Sequence, residues 1–187
     1  MRSHYPITPT PHDTPLHFEP QIPTMKKAGK IKIGVLGPGT CTREEHKLGY
    51  AVGAEIAKCG AVLVCGGLGG VMAAAAEGAR NCDGLTVGIL PDETDAKANP
   101  HIDISIPTGL GPFRNMLVVR ACDAVIAIRG GYGTLSEIAF ALRLGVPVIG
   151  LNTWAASRDG KLDPGIHVAQ DAVSAVRAAF EAAGKKS

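Results

Sequence analysis

An arginine and a glutamate on either side of a glycine-rich turn are the side chains of this 187-residue chain best suited to chemistry. The stretch RGGYGTLSE covers residues 129–137 and ends on Glu137, and Arg114 begins the helical pattern that precedes it. A carboxylate can stabilise an oxocarbenium-like centre or activate water, as in glycoside cleavage. An arginine beside it can grip phosphate or ribose and keep the carboxylate ionised. Arg114 and Glu137 are therefore the candidate catalytic residues.

Three glycine-rich turns could bind the ligand of such a pair. They are GPGT at 37–40, GGLGG at 66–70 and GGYGT at 130–134, and each follows an apolar run. Glycine lets the backbone approach a ligand closely, and the free amides and dipole of a following helix favour an anion such as phosphate. The pattern predicts a phosphate-binding set made of Gly37, Gly39, Gly66, Gly67, Gly69, Gly70, Arg129, Gly130, Gly131, Gly133 and Thr134.

The turns at 66–70 and 130–134 lead directly into helices, but they match neither the P-loop nor the dinucleotide-binding motif. No lysine follows the last glycine, as a P-loop requires, and no GxGxxG with an acidic residue about 20 positions further on is present. Structural alternatives stay open for each feature. Glycine also serves the steric needs of a tight turn, Arg129 could be a solvated surface arginine, and Thr134 with Glu137 has the spacing of a helix capping box.

Apolar runs alternate with amphipathic patterns from Lys30 onward. Strands are predicted at 31–36, 61–65, 84–90, 102–106, 123–128 and 146–151, and helices at 43–59, up to about residue 80, 109–121, 134–144 and 171–183. Strands that are apolar throughout are buried on both faces, and alternation with helices makes them parallel. The sequence thus predicts one doubly wound, mainly parallel α/β domain of Rossmann-like fold, with helices on both faces. Its strand order stays open.

The amino-terminal segment differs from the rest of the chain. Its first 24 residues contain six prolines, which exclude a helix or a central strand. It also has no apolar core of a secretory signal. We expect residues 1–29 to form a disordered or surface-draped arm ahead of a ligand-binding domain at 30–187.

Composition argues against several other classes of partner. The net charge is +2, and no basic stripe with interleaved aromatic residues indicates nucleic acid. No apolar run approaches the roughly 20 residues of a membrane span. The five cysteines have no CxxC spacing, which predicts reduced thiols in a cytoplasmic protein rather than a metal site or a disulfide framework.

The stretch RNMLVVRACDAVIAIRGGYGTLSE resembles the core of the lonely-guy family, the cytokinin-activating nucleoside monophosphate phosphoribohydrolases once described as lysine decarboxylases. VCGGLGGVM is similar to that family's GGGxxGLM segment, so the likeness runs from about Ile31 to Leu151. Arg129 replaces the family's proline and Asn115 its lysine, which is more similar to a sister branch that includes the molybdenum cofactor carrier proteins. The residues in register with the family pattern are Arg114, Arg120, Asp123, Gly130, Gly131, Gly133, Thr134 and Glu137.

This resemblance implies an enzyme that hydrolyses the N-glycosidic bond of a nucleoside 5′-monophosphate to base and ribose 5-phosphate, with no cofactor required. The alternative it implies is a binding protein, either a carrier of a molybdopterin-type cofactor or a nucleotide sensor. Lysine decarboxylation is excluded, because such an enzyme needs a lysine to hold pyridoxal phosphate. None lies between Lys97 and Lys161, the span that holds the predicted site.

The helical pattern at 134–144 is apolar on more than one face. This indicates an interface with a second copy of the chain beside the pocket, in a homodimer or homotetramer. The residues that carry this interpretation are Ile138, Ala139, Phe140, Leu142 and Leu144.

Overall fold

Seven parallel strands form the central sheet of the computed structural model, which describes residues 29–184. In chain order they are β1 (Lys32–Leu36), β2 (Val62–Cys65), β3 (Thr86–Leu90), β4 (Ile104–Pro107), β5 (Ala124–Ile128), β6 (Val148–Leu151) and β9 (Ile166–Val168). Between β6 and β9 lies a small antiparallel hairpin of β7 (Ser157–Arg158) and β8 (Lys161–Leu162).

The strand order is β4-β3-β2-β1-β5-β6-β9. From β1 the chain adds strands outward on one side, then returns to place β5 against the other side of β1. The carboxyl ends of β1 and β5 therefore flank the point where the winding reverses, which is where open α/β sheets bind their ligands. At the opposite end of this strand pair, Asp123 Oδ2 accepts two hydrogen bonds from Lys32. The Lys32 backbone amide donates at 2.8 Å and the Lys32 Nζ at 3.0 Å.

Helices cover both faces of the sheet. They are α1 (Arg43–Lys58), α2 (Val71–Arg80), α3 (Asn115–Arg120), α4 (Tyr132–Leu144) and α5 (Ala172–Gly184). One core cluster joins one side of the sheet to α1, α2 and α5, and a second joins the other side to α3 and α4. The predicted doubly wound α/β fold is confirmed.

Local details differ from the sequence-based prediction in four places. The predicted helix at 109–121 is a 3-10 turn, Gly111–Arg114, followed by the short α3, because Pro112 and two glycines with positive φ shape its start. The predicted helix at 134–144 begins at Tyr132 instead. Strand β4 is an edge strand whose residues are mostly exposed, not buried on both faces. The short β9 and the hairpin were not predicted. The predicted arm lies outside the described residues, apart from Gly29.

Two further expectations bear on the described part of the chain. Within residues 29–184, no helix is both long and apolar enough to cross a membrane. In that same range, no group of three or more His, Cys, Asp or Glu side chains is placed to hold a metal ion. The five cysteines are free thiols, of which Cys65 and Cys122 are buried and Cys59 is exposed.

Candidate functional site

A cavity of about 320 Å³ opens at the carboxyl ends of β1 and β5. We call it the Arg114 cavity. Its walls come from four elements: the turn after β1, the start of α2, the 3-10 turn with α3, and the start of α4. The residues that line it are Gly37, Pro38, Gly39, Met72, Arg114, Asn115, Gly131, Gly133, Thr134 and Glu137.

Arg114 and Glu137 form a buried pair in the wall of this cavity. Their side chains approach to 4.0 Å between Nη1 and Oε1, and the two residues are only 6% and 7% exposed. Arg114 Nε and Nη1 are buried without a hydrogen-bond partner in residues 29–184. Buried donors of this kind are costly unless something accepts from them. The guanidinium is therefore prepared to bind an acceptor that enters the cavity.

Burial also sets the ionisation of this pair. It raises the pKa of Glu137 from 4.5 to about 7, a rise that the positive charge of Arg114 partly opposes. Burial likewise lowers the pKa of Arg114, against the opposing effect of Glu137. A carboxyl group with a pKa near 7 can exchange a proton at neutral pH, which is the property required of a general acid or base.

We expect this carboxyl group to make stability depend on pH. The folded protein holds the Glu137 proton more tightly than the unfolded chain does, because the folded pKa of about 7 exceeds the ordinary 4.5. The resulting stabilisation is fully present below about pH 4.5 and is lost as the pH rises through 7. Between pH 4 and pH 8, wild type should lose about 3 kcal/mol of unfolding free energy more than Glu137→Gln does.

Urea denaturation of both proteins across this pH range measures the difference. Glu181→Gln, a change at an exposed glutamate on α5, is the matched control and should follow wild type. Parallel curves for wild type and Glu137→Gln would contradict the raised pKa.

Gly66 makes room for the guanidinium. A Cβ atom at this position would lie 2.6 Å from Arg114 Nη2 and 2.7 Å from the Met72 sulfur. Any larger residue would therefore push Arg114 out of place, since such contacts are far shorter than van der Waals distance. This glycine acts on the site through Arg114.

The amino end of α4 supplies the backbone donors of the cavity. Gly131 is the N-cap, no side chain caps the helix, and no acidic residue stands in its first turn. The first amides of a helix have no intrahelical acceptor, and the helix dipole makes this end attractive to anions. Added Cβ atoms at Gly131 and Gly133 would meet no atom of the described residues within 4 Å, so these two glycines leave open space at the helix start.

The capping-box alternative for Thr134 and Glu137 is wrong. Because α4 begins at Tyr132, Thr134 lies inside its first turn and Glu137 one turn further along. The buried Thr134 side chain packs against Gly130, whose φ of +105° suits glycine. A true capping box exists elsewhere, between Thr42 and Glu45 at the start of α1. Glu137 is therefore free of a capping role and faces Arg114.

The segment 151–154, which begins at the last residue of β6, fixes the turn after β5 through hydrogen bonds. Thr153 Oγ1 donates to the Arg129 carbonyl at 2.5 Å, and the Trp154 indole donates to the carbonyls of Gly130 and Gly131 at 3.0 and 3.2 Å. The Arg129 amide donates to the Leu151 carbonyl at 3.0 Å. Three consecutive carbonyls are thus fixed on the side of this segment, which turns the following amides toward the Arg114 cavity.

Removing the indole donor should weaken phosphate binding without unfolding the protein. Trp154→Phe keeps an aromatic ring but removes the indole donor from both carbonyls, and within residues 29–184 the Gly131 carbonyl then accepts only from the Leu135 amide at 3.0 Å. We expect affinity for ribose 5-phosphate to fall about fivefold to tenfold, the loss of roughly one buried hydrogen bond. Isothermal titration calorimetry measures this effect. Thr153→Val should act in the same direction and Thr153→Ser should restore binding, while unchanged affinity in Trp154→Phe would contradict the positioning role.

The predicted site residues fall into three groups in the structure. Seven of them line the Arg114 cavity together: Gly37, Gly39, Arg114, Gly131, Gly133, Thr134 and Glu137. Arg129 and Gly130 line a neighbouring cavity of about 590 Å³, which we call the Glu45 cavity.

The glycines of the second turn, residues 66–70, form the third group and do not line the Arg114 cavity. Gly67 has φ +73° and fits against Leu90, and Gly70 has φ +62° and packs on the Pro38 carbonyl. The Val71 amide donates to that same carbonyl at 3.1 Å. This turn therefore packs against the turn after β1 and against Arg114, and it holds both in position.

Sequence reasoning did not select several residues that shape the two cavities. Met72 and Pro38 line the Arg114 cavity, and Glu45 and Trp154 line its neighbour. Pro38 stands inside the GPGT turn and could have been selected with it. Met72 ends the VCGGLGGVM segment and Glu45 belongs to the Thr42–Glu45 capping box, but neither motif indicates which cavity its residue lines. Trp154 carries no local motif and reaches the site from a different part of the chain.

Comparison with known proteins places this geometry in a family. The SLOG cluster4 family model matches residues 30–177. An uncharacterised protein of Archaeoglobus fulgidus is 49% identical over 121 residues, which cover 65% of this chain and 80% of that protein. A cytokinin riboside 5′-monophosphate phosphoribohydrolase of Mycobacterium tuberculosis is 35% identical over 135 residues, covering 64% of this chain and 72% of that protein.

Solved structures of similar fold include two linked to the molybdenum cofactor. The molybdenum cofactor binding protein of Rippkaea orientalis has a TM-score of 0.74 and 36% identity, covering 82% of this chain and 98% of that one. The molybdenum cofactor carrier protein of Chlamydomonas reinhardtii has a TM-score of 0.72 and 31% identity, covering 83% and 99%. The predicted resemblance to the lonely-guy-like proteins and their carrier branch is confirmed, and the chain belongs to the SLOG cluster4 family.

Proposed function

We propose that this protein is a nucleoside 5′-monophosphate phosphoribohydrolase, which releases a free base and ribose 5-phosphate. The observation that carries the proposal is the buried Arg114–Glu137 pair, 4.0 Å apart, in a cavity that also contains the open amino end of α4. The 35% identical relative with the name of such an enzyme supports it.

The backbone amides at the start of α4 would hold the 5′-phosphate. Gly131 and Gly133 leave space for it, and the helix dipole favours its charge. Arg114 offers two unpartnered nitrogens, Nε and Nη1, to the phosphate or the ribose. Its positive charge also offsets the repulsion between a phosphate dianion and the Glu137 carboxylate.

Glu137 would act on the anomeric carbon. The bond between this carbon and the base nitrogen breaks, its electron pair leaves with the base, and the base nitrogen takes up one proton, so that water supplies both the new hydroxyl and this proton overall. Ionised Glu137 stabilises the oxocarbenium-like centre and accepts a proton from the water whose oxygen then bonds to the anomeric carbon. A pKa of about 7 makes this carboxylate basic enough for the task at neutral pH.

The direct test is to incubate purified protein with AMP, GMP, CMP, UMP and modified adenine nucleotides, and to follow free base by chromatography. Release of base from at least one nucleotide, with stoichiometric ribose 5-phosphate, is the expected result. No release from any of them would exclude the hydrolase.

A carrier of a molybdopterin-type cofactor is the second candidate. It is supported by the two similar structures whose names refer to molybdenum cofactor binding or carriage. The same amides and Arg114 would serve an anionic cofactor, although the Glu137 carboxylate would then need to bind its proton to avoid repulsion. Native mass spectrometry of material that co-purifies with the protein distinguishes the two, since a nucleotide or ribose phosphate favours the hydrolase and a molybdopterin favours the carrier.

We also propose that two copies of the chain associate beside the Arg114 cavity. The face predicted for this interface on the helix at 134–144 is largely turned inward, because Ile138 is buried and Phe140 and Leu142 pack against the core. Apolar side chains stand exposed on the 3-10 turn and α3, next to the lining residues Arg114 and Asn115, with Phe113 83% exposed. A patch of this kind is typical of an interface. The exposed apolar residues at this edge are Leu110, Phe113, Met116, Leu117 and Tyr132.

Sedimentation velocity tests the association. We expect wild type to sediment as a dimer or tetramer, and Phe113→Asp to shift it toward monomer with little change in melting temperature, because the Phe113 ring packs on little of its own chain. Monomeric wild type at micromolar concentration would contradict this proposal.

A further inference from the structure

The Glu45 cavity adjoins the Arg114 cavity and is the larger of the two, at about 590 Å³. Pro38 lines both cavities. The peptide between Gly130 and Gly131 divides them, because Gly130 lines one and Gly131 lines the other. A ligand anchored at the start of α4 would reach the Glu45 cavity past this peptide and Pro38.

Two opposite charges form an ion pair without a hydrogen bond in this second cavity. Arg129 Nε lies 3.6 Å from Glu45 Oε1, beyond hydrogen-bond distance. The Glu45 side chain is only 15% exposed. Its Oε2 accepts from the Thr42 amide at 2.7 Å, whereas Oε1 accepts no hydrogen bond from residues 29–184. One carboxylate oxygen and a guanidinium are thus available to a ligand.

The backbone at this cavity is held in a conformation that side chains rarely adopt. Arg129 has φ +47° and Asn152 has φ +51°. Asparagine tolerates this left-handed region, but arginine does so less readily. Such conformations persist where the surroundings impose them, often at binding sites. Here the hydrogen bonds from segment 151–154 to the turn after β5 impose it, and the Arg129 side chain is directed to the cavity as a result.

We propose that the Glu45 cavity binds the heterocycle of the ligand and selects rings that carry neighbouring N–H donors and a carbonyl, as guanine does. This inference rests on the proposed function and names its substrate class. The free carboxylate oxygen of Glu45 accepts from ring N–H and amino groups, and the Arg129 guanidinium donates to the carbonyl. Adenine presents an unprotonated ring nitrogen in place of the N–H, which would repel the carboxylate. The ring of Trp154 forms part of the same wall.

The chain offers clean variants for a test. Glu45→Gln removes the charge but keeps the helix start, because glutamine also serves in a capping box. Arg129→Gly removes the guanidinium at a backbone position that suits glycine. Glu44→Gln, at the exposed neighbouring position of α1, is the matched control. All affinities are measured in the Glu137→Gln background, so that hydrolysis does not consume the nucleotide.

Titration calorimetry with GMP, AMP and ribose 5-phosphate gives the decisive comparison. We expect GMP to bind at least tenfold more tightly than AMP, and Glu45→Gln to abolish that preference by weakening GMP alone. Arg129→Gly should also weaken GMP, while neither change alters the affinity for ribose 5-phosphate. GMP should in addition quench the fluorescence of Trp154, the single tryptophan of the chain.

Two results would overturn the inference: a GMP-to-AMP ratio that Glu45→Gln leaves unchanged, or GMP binding no tighter than ribose 5-phosphate. Failure of the proposed phosphate site looks different. In that case ribose 5-phosphate does not bind, yet guanosine without phosphate still binds in a manner that depends on Glu45.

Discussion

Turnover of nucleoside monophosphates should fall at least a hundredfold when Glu137 is replaced by glutamine, which corresponds to about 2.7 kcal/mol of activation free energy. Glutamine keeps the shape and much of the hydrogen bonding of the side chain. It lacks the negative charge that stabilises the oxocarbenium-like centre, and it cannot accept a proton from water. Substrate affinity should change little, because the amides of α4 and Arg114 remain in place. Base release under single-turnover conditions measures the chemical step directly.

A second change separates the catalytic carboxylate from its partner. Arg114→Ala should lower both turnover and nucleotide affinity, because in the proposed mechanism the guanidinium serves the phosphate as well as Glu137. If Glu137→Gln retains wild-type turnover, the carboxylate has no catalytic role, because the variant lacks the negative charge and the proton acceptor that this role requires. Loss of affinity in Glu137→Gln with unchanged chemistry would instead assign Glu137 to binding.

Binding of phosphorylated ligands should fall by about a hundredfold or more when Gly131 is replaced by valine. The backbone of Gly131 is extended, at φ −95° and ψ −156°, so valine can adopt it without strain. An added Cβ would meet no protein atom within 4 Å, so the fold has room for the side chain. The side chain would stand at the mouth of the α4 amino end, where the phosphate must approach the amides.

The matched control for this variant is Gly184→Val, at another exposed glycine with open space around its Cβ among the described residues, on α5 and outside the cavity. It should bind ribose 5-phosphate as wild type does. Thr134→Ala should cost less, about 1 kcal/mol or fivefold in affinity, as the loss of one hydroxyl hydrogen bond. A Gly131→Val protein that binds ribose 5-phosphate with wild-type affinity would refute the anion site at α4.

Much of this fold could be read from local pattern. Within residues 29–184, six of the seven strands of the central sheet and all five α-helices were predicted at or near their observed positions, because continuous apolar runs and helical periodicity report burial directly. Strand β9 was not predicted, because its three residues, Ile166–Val168, form too short an apolar run. Only Ile166 of these residues is buried. The start of α4 was placed two residues late because Thr134 has the composition of a cap, whereas the observed N-cap is Gly131.

Only part of the candidate site could be predicted from local sequence pattern. All three glycine-rich turns were predicted to bind phosphate, and the structure brings those after β1 and β5 into one cavity. The turn after β2 is equally rich in glycine, but its glycines do not line this cavity. Gly66 clears space for Arg114, and Gly70 packs on Pro38. Composition does not distinguish a glycine that faces a ligand from one that faces a neighbouring side chain.

The chain's own residues thus determined the class of fold, the edge of the sheet where the candidate site lies, and the pairing of an arginine with a carboxylate in one family pattern. These features depend on hydrophobic period and on motifs within a few residues of each other. Only the tertiary structure decided the strand order, the burial that raises the pKa of Glu137 to about 7, and the entry of Glu45 and Trp154 into the site. Burial and long-range contact arise from elements distant in sequence that pack together, so no local pattern encodes them.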